Sequence, residues 1–266
     1  MIKLIATDMD GTFLDSSKQF DERFYTVFQK LKEKGIVFVI ASGNQFLHLY
    51  NTFPSICDEL YYIAENGAFI SHGKKSFYSS TMEMSIVYDI MNIFKKYPQL
   101  MVVICGEKRA YIHRNYSLYK DEIEKHYDAY QFIDNIDEID DGILKFSIHD
   151  PNYHVEQYVE DIQKDLPQGM KILTSGNEWM DIQYTHIHKG SGMIHLQNHL
   201  HFSRDECAAF GDQMNDYELL KNVKYAYAMD NAVETIKDIA YEVVHSNDEQ
   251  GVILKIEELL ENMSKE

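Results

Sequence analysis

The chain has 266 residues, enough for one large domain or two small ones with buried cores, and its 45% hydrophobic and 13% aromatic content excludes a generally disordered polypeptide. A formal net charge of -18 leaves little basic surface for a phosphate backbone or an anionic bilayer, so neither nucleic acid nor a membrane is an expected partner. Cys57, Cys105 and Cys207 form no closely spaced pair, which argues against a structural zinc or disulfide framework and for buried thiols in a reducing compartment.

The first 70 residues alternate short strand-like runs with helical patterns: a strand over Lys3–Asp8, a helix around Asp21–Lys34, a strand over Ile36–Ala41, a helix around Gln45–Phe53 and a strand over Leu60–Ala64. Such alternation predicts right-handed βαβ units and a parallel sheet. The pattern then changes. Helices are expected over Glu83–Tyr97, near Leu118–His126 and near Tyr153–Asp165, with strands at Met101–Cys105, Ala110–His113, Ile143–His149, Met170–Thr174 and Trp179–Gln183. This middle stretch, 83–185, reads as a separate α+β unit inserted into a parallel domain made of 1–82 and 186–266. The first rhythm returns in Glu206–Gly211, Asp216–Asn222, Lys224–Ala228, Ala232–Tyr241 and a final helix near Gly251–Asn262. No targeting segment precedes the first strand and no run approaches the ~20 apolar residues of a membrane span, so the expected location is cytoplasmic.

Three strand ends carry chemistry. Asp8-Met9-Asp10-Gly11-Thr12 closes the run Lys3–Thr7; side chains two apart on an extended segment share a side, so Asp8 and Asp10 face one small volume. Alone the pair is weak evidence, because acidic residues are common in turns and glycosyltransferases use the same spacing to hold a metal. Ser42-Gly43 follows Val37–Ile40, and Gly211-Asp212-Gln213-Met214-Asn215-Asp216 follows Ala208–Phe210. In an open α/β sheet, ligands bind beyond the carboxyl ends of the strands, so these residues should converge on one crevice, roofed by the insert. Lys189-Gly190 precedes a helical stretch; by itself it is an ordinary surface pair. His186 and His188 lie two apart but have no third nitrogen or sulfur ligand spaced to join them, and are read as structural.

In this order, the four segments resemble the signature of the haloacid dehalogenase (HAD) phosphohydrolases, and the chain is similar over nearly its whole length to the Cof-type branch with a large inserted cap. Ala64-Glu65-Asn66-Gly67-Ala68 and Ala228-Met229-Asp230-Asn231-Ala232 look like two further segments of that branch. Asp8–Leu14, Ala41–Gln45, Glu138-Ile139-Asp140-Asp141 and Lys145-Phe146-Ser147 are similar to a subgroup of broad-specificity bacterial sugar phosphatases. Many members of the wider branch have Arg at the position of Asn44, so no second bidentate anion contact is expected there. The resemblance implies a Rossmann-like core with a parallel sheet and an inserted α+β cap that governs specificity. It also implies hydrolysis of a small phosphorylated metabolite, a sugar phosphate.

The expected roles follow. Asp8 attacks phosphorus to give an aspartyl-phosphate, and Asp10 protonates the leaving oxygen and later deprotonates water. Crowded carboxylates beside a phosphate dianion need a cation; Mg²⁺ suits oxygen ligands, with Asp8, the Asp10 carbonyl and Asp212 as the expected set. Asp216 either joins them or orients a metal-bound water, with a helix-capping role nearly as well supported. Ser42, the Gly43 N–H at a helix start, Lys189 and Asn215 are the expected phosphate contacts. The rivals are a phosphomutase, which would keep a bisphosphorylated intermediate, and a non-catalytic phosphometabolite-binding module, which would not need a nucleophile and an acid together. The oligomeric state is not legible.

Overall fold

The computed structural model describes residues 1–175 and 177–264, and the chain forms two compact units. One comprises Met1–Gly43, Leu49–Tyr78 and His188–Glu266; the other comprises Asn44–His48 and Ser79–Ile187. In chain order the first segment holds β1 (Leu4–Thr7), α1 (Arg23–Glu33), β2 (Val37–Ala41), α2 (Phe46–Thr52), β3 (Tyr61–Ala64), β4 (Phe69–His72) and β5 (Lys75–Ser79). Next come α3 (Met84–Phe94), β6 (Met101–Gly106), β7 (Ala110–His113), α4 (Lys120–Ile123), β8 (Tyr130–Ile133), β9 (Ile143–His149), α5 (Glu156–Asp165), β10 (Met170–Ser175) and β11 (Trp179–Tyr184). The chain finishes with α6 (Lys189–Leu200), β12 (Cys207–Gly211), α7 (Tyr217–Lys221), β13 (Tyr225–Met229), α8 (Glu234–Ile239), β14 (Glu242–Val244) and α9 (Gly251–Met263).

The first unit is built on an eight-stranded sheet ordered β14-β13-β12-β1-β2-β3-β4-β5. From β14 to β3 the strands pair in parallel, and β1 sits between β12 and β2, with Ala6 opposite both Ala209 and Val39. A parallel strand flanked on both faces reads as a continuous apolar run, and Leu4–Thr7 and Cys207–Gly211 are buried at every position. The parallel sheet is as expected through β3, and beyond it β4 runs antiparallel to β3, with β5 at the edge. Helix α1 buries Phe24, Val27, Phe28 and Leu31, the three-and-four spacing of one helical face. Phe24 meets Phe13 edge-on with ring centroids 4.8 Å apart, and Phe13 also packs against Phe38 and Phe53, so an aromatic cluster anchors the segment just past Asp10.

The second unit holds a six-stranded sheet ordered β10-β11-β9-β6-β7-β8, antiparallel except between β7 and β8. One apolar cluster joins Val87, Ile90 and Ile162 of α3 and α5 to Val102, Phe146 and Ile182 of the sheet. A smaller one gathers Met101, Val103, Ala110 and Ile112 with Ile123 and Tyr127. Residues 44–48 belong to this unit through Gln45, whose amide both donates to and accepts from the backbone of Ala129, at 2.8 and 3.1 Å. The expected helix near Leu118–His126 shrinks to a 3-10 turn and the four residues of α4; Leu118 is 93% exposed, so no apolar face drives a longer helix. Among the described residues no helix is long and apolar enough to cross a membrane.

Candidate active site

Because β12, β1 and β2 are adjacent and parallel, the residues that follow them emerge at the same edge of the sheet. Asp8, Ser42 and Asp212 all do so, and all three are buried. The Asp8 N–H donates to the Phe210 carbonyl at 3.1 Å, carrying the β1–β12 ladder up to the carboxylate. The chain then turns on itself, with Phe13 and Leu14 N–H groups both donating to the Met9 carbonyl at 3.0 and 2.9 Å. Gly11 sits in that turn at φ +79°, and a Cβ there would lie 2.6 Å from Asp212 Oδ2, so both the backbone angle and the approach of Asp212 require glycine.

Lys189 opens α6 and is 1% exposed. Its Nζ lies 2.5 Å from Asp8 Oδ1 and 2.6 Å from Asp216 Oδ1. Asp216, wholly buried, turns its other oxygen to the backbone N–H groups of Asp212 and Gln213, at 3.1 and 3.2 Å. It stands at the start of α7 but makes no capping bond to that helix; the N–H groups it holds precede it. Thr12 Oγ1 donates to Asp212 Oδ1 at 2.8 Å.

Asp8, Asp212 and Asp216 thus form a buried trio with one ligand atom from each within 4.8 Å of the others. Three carboxylates against one ammonium leave an excess of two negative charges. Burial pushes the Asp8 carboxyl well above its ordinary range, Asp216 pushes the same way, and Lys189 opposes them. Burial also raises Asp212 to about 6, against the Thr12 hydrogen bond. For Lys189, burial alone would lower the pKa, but the Asp216 and Asp8 charges outweigh it and keep the amine protonated. An all-oxygen donor set with a doubly negative excess fits a hard divalent cation such as Mg²⁺.

The remaining expected residues are placed less centrally. The Asp10 carboxylate is outside the trio: its side chain is 44% exposed and pairs with Lys18 Nζ at 2.5 Å. Ser42 is fixed through its backbone, with its N–H on Ile63 O and its carbonyl accepting from Asn66 N, at 2.9 and 3.1 Å. Gly43 does not open a helix as expected, since α2 begins at Phe46. Asn215 is exposed on a short turn and makes no side-chain hydrogen bond among the described residues. His188 caps α6, its ring accepting from Ser191 N at 3.0 Å, which agrees with a structural role. Cys57, Cys105 and Cys207 are buried and take part in no disulfide.

Two segments to which the sequence assigns no task are supports. Glu65, Asn66 and Gly67 all have positive φ, at 50°, 56° and 99°, and a Cβ on Gly67 would lie 2.4 Å from the carbonyl of His188, the residue before Lys189. A Cβ on Gly192 would lie 3.3 Å from the Gly67 Cα, so small residues on both sides seat α6 and its lysine against β3. On the opposite side, Asn231 Nδ2 donates to the Gly11 carbonyl at 2.8 Å, while Asn247 Nδ2 holds Leu14 O at 2.9 Å. Thr12, Asn231 and Asn247 are additions to the expected site; only the Thr in the first motif and the Asn in the Ala228–Ala232 segment signal them.

Replacing Gly67 by Ala should therefore cost roughly 2–4 kcal/mol, adding a left-handed backbone penalty to an overpacked contact. Gly35, at φ +69° with nothing within 4 Å of the position a Cβ would take, is the control: Gly35→Ala should incur the backbone penalty alone. Equal Tm losses in the two variants would refute the close approach. A second expectation concerns pH. Asp212 has its folded pKa raised to about 6 from 3.8, so its burial destabilises the metal-free protein above that value and ceases to do so as pH falls through 6 towards 4. Asp212→Asn should be more stable than wild type by up to ~3 kcal/mol at pH 7 in chelator, with the gap closing by pH 4. A gap independent of pH would reject this assignment.

A parallel α/β sheet with a carboxylate trio and a lysine at its strand ends is the framework of a phosphoryl-transfer hydrolase, and residues 5–256 match the family model of the haloacid dehalogenase-like hydrolases. The chain belongs to that family. It is 31% identical over 263 residues to the 5-amino-6-(5-phospho-D-ribitylamino)uracil phosphatase YbjI of Escherichia coli (strain K12), covering 98% of this chain and 97% of the relative. A solved structure from Streptococcus mutans UA159 superposes with a TM-score of 0.86 at 31% identity, over 98% of this chain and 99% of that one. Another, described as a HAD subclass IIB sugar phosphatase, gives a TM-score of 0.81 at 19% identity over 97% and 98% of the two chains, a likeness of fold.

Proposed function

We propose that this hydrolase is a Mg²⁺-dependent phosphatase of small sugar phosphates that works through an aspartyl-phosphate on Asp8. The observation that supports it most is the union of a buried nucleophile candidate with a fixed cation, Lys189 at 2.5 Å from Asp8, beside a second carboxylate, Asp10, that is half exposed and outside the trio. In this reading Asp8 attacks phosphorus as the ester P–O bond breaks, and Asp10 delivers its proton to the departing alkoxide. Asp10 then takes a proton from the water that attacks the acyl phosphate, which returns Asp8 and releases inorganic phosphate. Ser42, the Gly43 N–H, Lys189 and Asn215 hold the phosphoryl oxygens. Asp8, Asp212 and Asp216, with the Asp10 carbonyl, are the groups that would hold Mg²⁺, which would supply charge neutralisation for the phosphoryl transfer.

The catalytic part is assigned to 1–82 and 186–266, and the choice of substrate to the insert at 83–185. A ribityl phosphate is a second substrate class, supported by the name of the 31% identical relative. The three buried cysteines, none in a disulfide, support action in the reducing cytoplasm. The test is phosphate release across sugar phosphates, a ribitylamino-pyrimidine phosphate, nucleotides and phosphopeptides, with Mg²⁺ or with excess chelator. Metal-dependent release from the sugar or ribityl phosphates is expected. Full activity in chelator would remove the metal, isomer formation in place of phosphate release would indicate a phosphomutase, and binding without turnover would leave the binding module.

A further inference from the structure

We propose that the second unit carries a separate site for a transition-metal ion of the Zn²⁺ kind, formed by Glu122, His149 and Glu178, with His126 beside it. One ligand atom from each of the first three lies within 4.8 Å of the others. His149 Nε2 is 3.9 Å from Glu178 Oε2, and His126 Nε2 is 3.5 Å from Glu122 Oε1. The residues come from distinct elements: Glu122 from α4, His149 from the end of β9, and Glu178 from the residue before β11. An ion held there would pin the α4 segment to the sheet.

The second observation is the state of His149. It is 4% exposed, yet neither ring nitrogen makes a hydrogen bond among the described residues, and Nδ1 is fully enclosed. Buried polar groups are normally satisfied; Nε2, 3.9 Å from Glu178 Oε2 and so beyond hydrogen-bond reach of it, would be satisfied by an ion held with Glu122 and Glu178. Zn–N and Zn–O bonds of ~2.0–2.2 Å place ligand atoms up to ~4 Å apart, so rotamer adjustments of under about an ångström close the set. Imidazole among the donors selects Zn²⁺, Co²⁺, Ni²⁺ or Cu²⁺ over Mg²⁺, in contrast to the all-oxygen trio at Asp8. Glu122 and Glu178 are partly exposed, which gives the ion a path in. Lys125 Nζ lies 2.5 Å from Glu122, but its side chain is 65% exposed and can swing into water.

The site has its own reporter. Trp179 is the only tryptophan of the chain, and its ring centroid lies 4.6 Å from that of His149 and 5.0 Å from that of His126. The experiment is a titration of the full chain with Co²⁺ or Cu²⁺, in millimolar Mg²⁺ to occupy the oxygen-rich trio, read by tryptophan fluorescence. Saturable quenching at micromolar metal, reversed by Zn²⁺, is expected. Glu122→Gln and Glu178→Gln, both at partly exposed positions, should each weaken it tenfold or more without loss of phosphate release, whereas His199→Ala, on α6, should leave it unchanged. His149→Gln should do the same as the glutamate variants; the glutamate pair decides the matter if that variant does not fold. Quenching that stays linear to millimolar metal, or persists unaltered in both glutamate variants, would overturn the proposal while leaving the Asp8 chemistry untouched.

Discussion

Asp8→Asn is expected to lower kcat at least ~100-fold, a loss of about 3 kcal/mol of barrier reduction, while the protein remains folded. The substitution keeps the size of the side chain but replaces the anionic nucleophile by a neutral, weakly nucleophilic amide, removing one of three crowded charges. Because burial already pushes the Asp8 carboxyl well above its ordinary range, loss of its charge should leave metal-free stability unchanged or improved. Acid quench of the wild type with a radiolabelled phosphomonoester should trap label on the protein, and the variant should trap none. Retention of more than about a hundredth of wild-type kcat, or label trapped on the variant, would reject Asp8 as the nucleophile.

Lys189→Met should have the larger effect on the fold. It keeps most of the buried stem but strips the ammonium from among Asp8, Asp212 and Asp216, and breaking a buried charge set from one side costs about 3–5 kcal/mol. At roughly 2–4 °C per kcal/mol for a chain of this size, Tm should fall by about 10 °C in chelator, and phosphate release should fall at least ~100-fold for want of a fixed cation. Adding Asp216→Asn to the variant removes one of the stranded charges and should restore part of the Tm, but not the activity. Additive losses in the double variant, showing no coupling, would mean that the Lys189–Asp216 contact carries little of this energy.

Much of this architecture can be read from the chain because its signals are local. The apolar runs ending at Thr7, Ala41 and Gly211 are strands buried on both faces, and a carboxylate or hydroxyl directly after each fixes the chemical edge of the sheet. What escapes has no such signal. The β4–β5 edge is short and partly polar, with His72, Lys75 and Ser76 exposed, so neither apolar alternation nor length marks it. Strands β8 and β14 are equally brief. At the site, the hydrogen bond between Thr12 and Asp212 joins residues 200 positions apart, and that between Asn231 and Gly11 spans 220. Spacing along a chain carries no information about such pairs. The turn of Asp216 back onto Asp212 and Gln213 is local, yet an aspartate ahead of a helix ordinarily signals a cap.

With the proposed Mg²⁺ bound at the buried trio, its excess of two negative charges would tie the lifetime of the polypeptide to the supply of divalent cation. Any ion that binds the folded chain and not the unfolded one adds RT ln(1 + [ion]/Kd) to stability, about 2.7 kcal/mol at a hundred times Kd. A population deprived of that ion visits its open states more often and is exposed to proteolysis in proportion. Scarcity would therefore remove the protein as well as silence it, and restoring the ion would recover only the molecules that had survived.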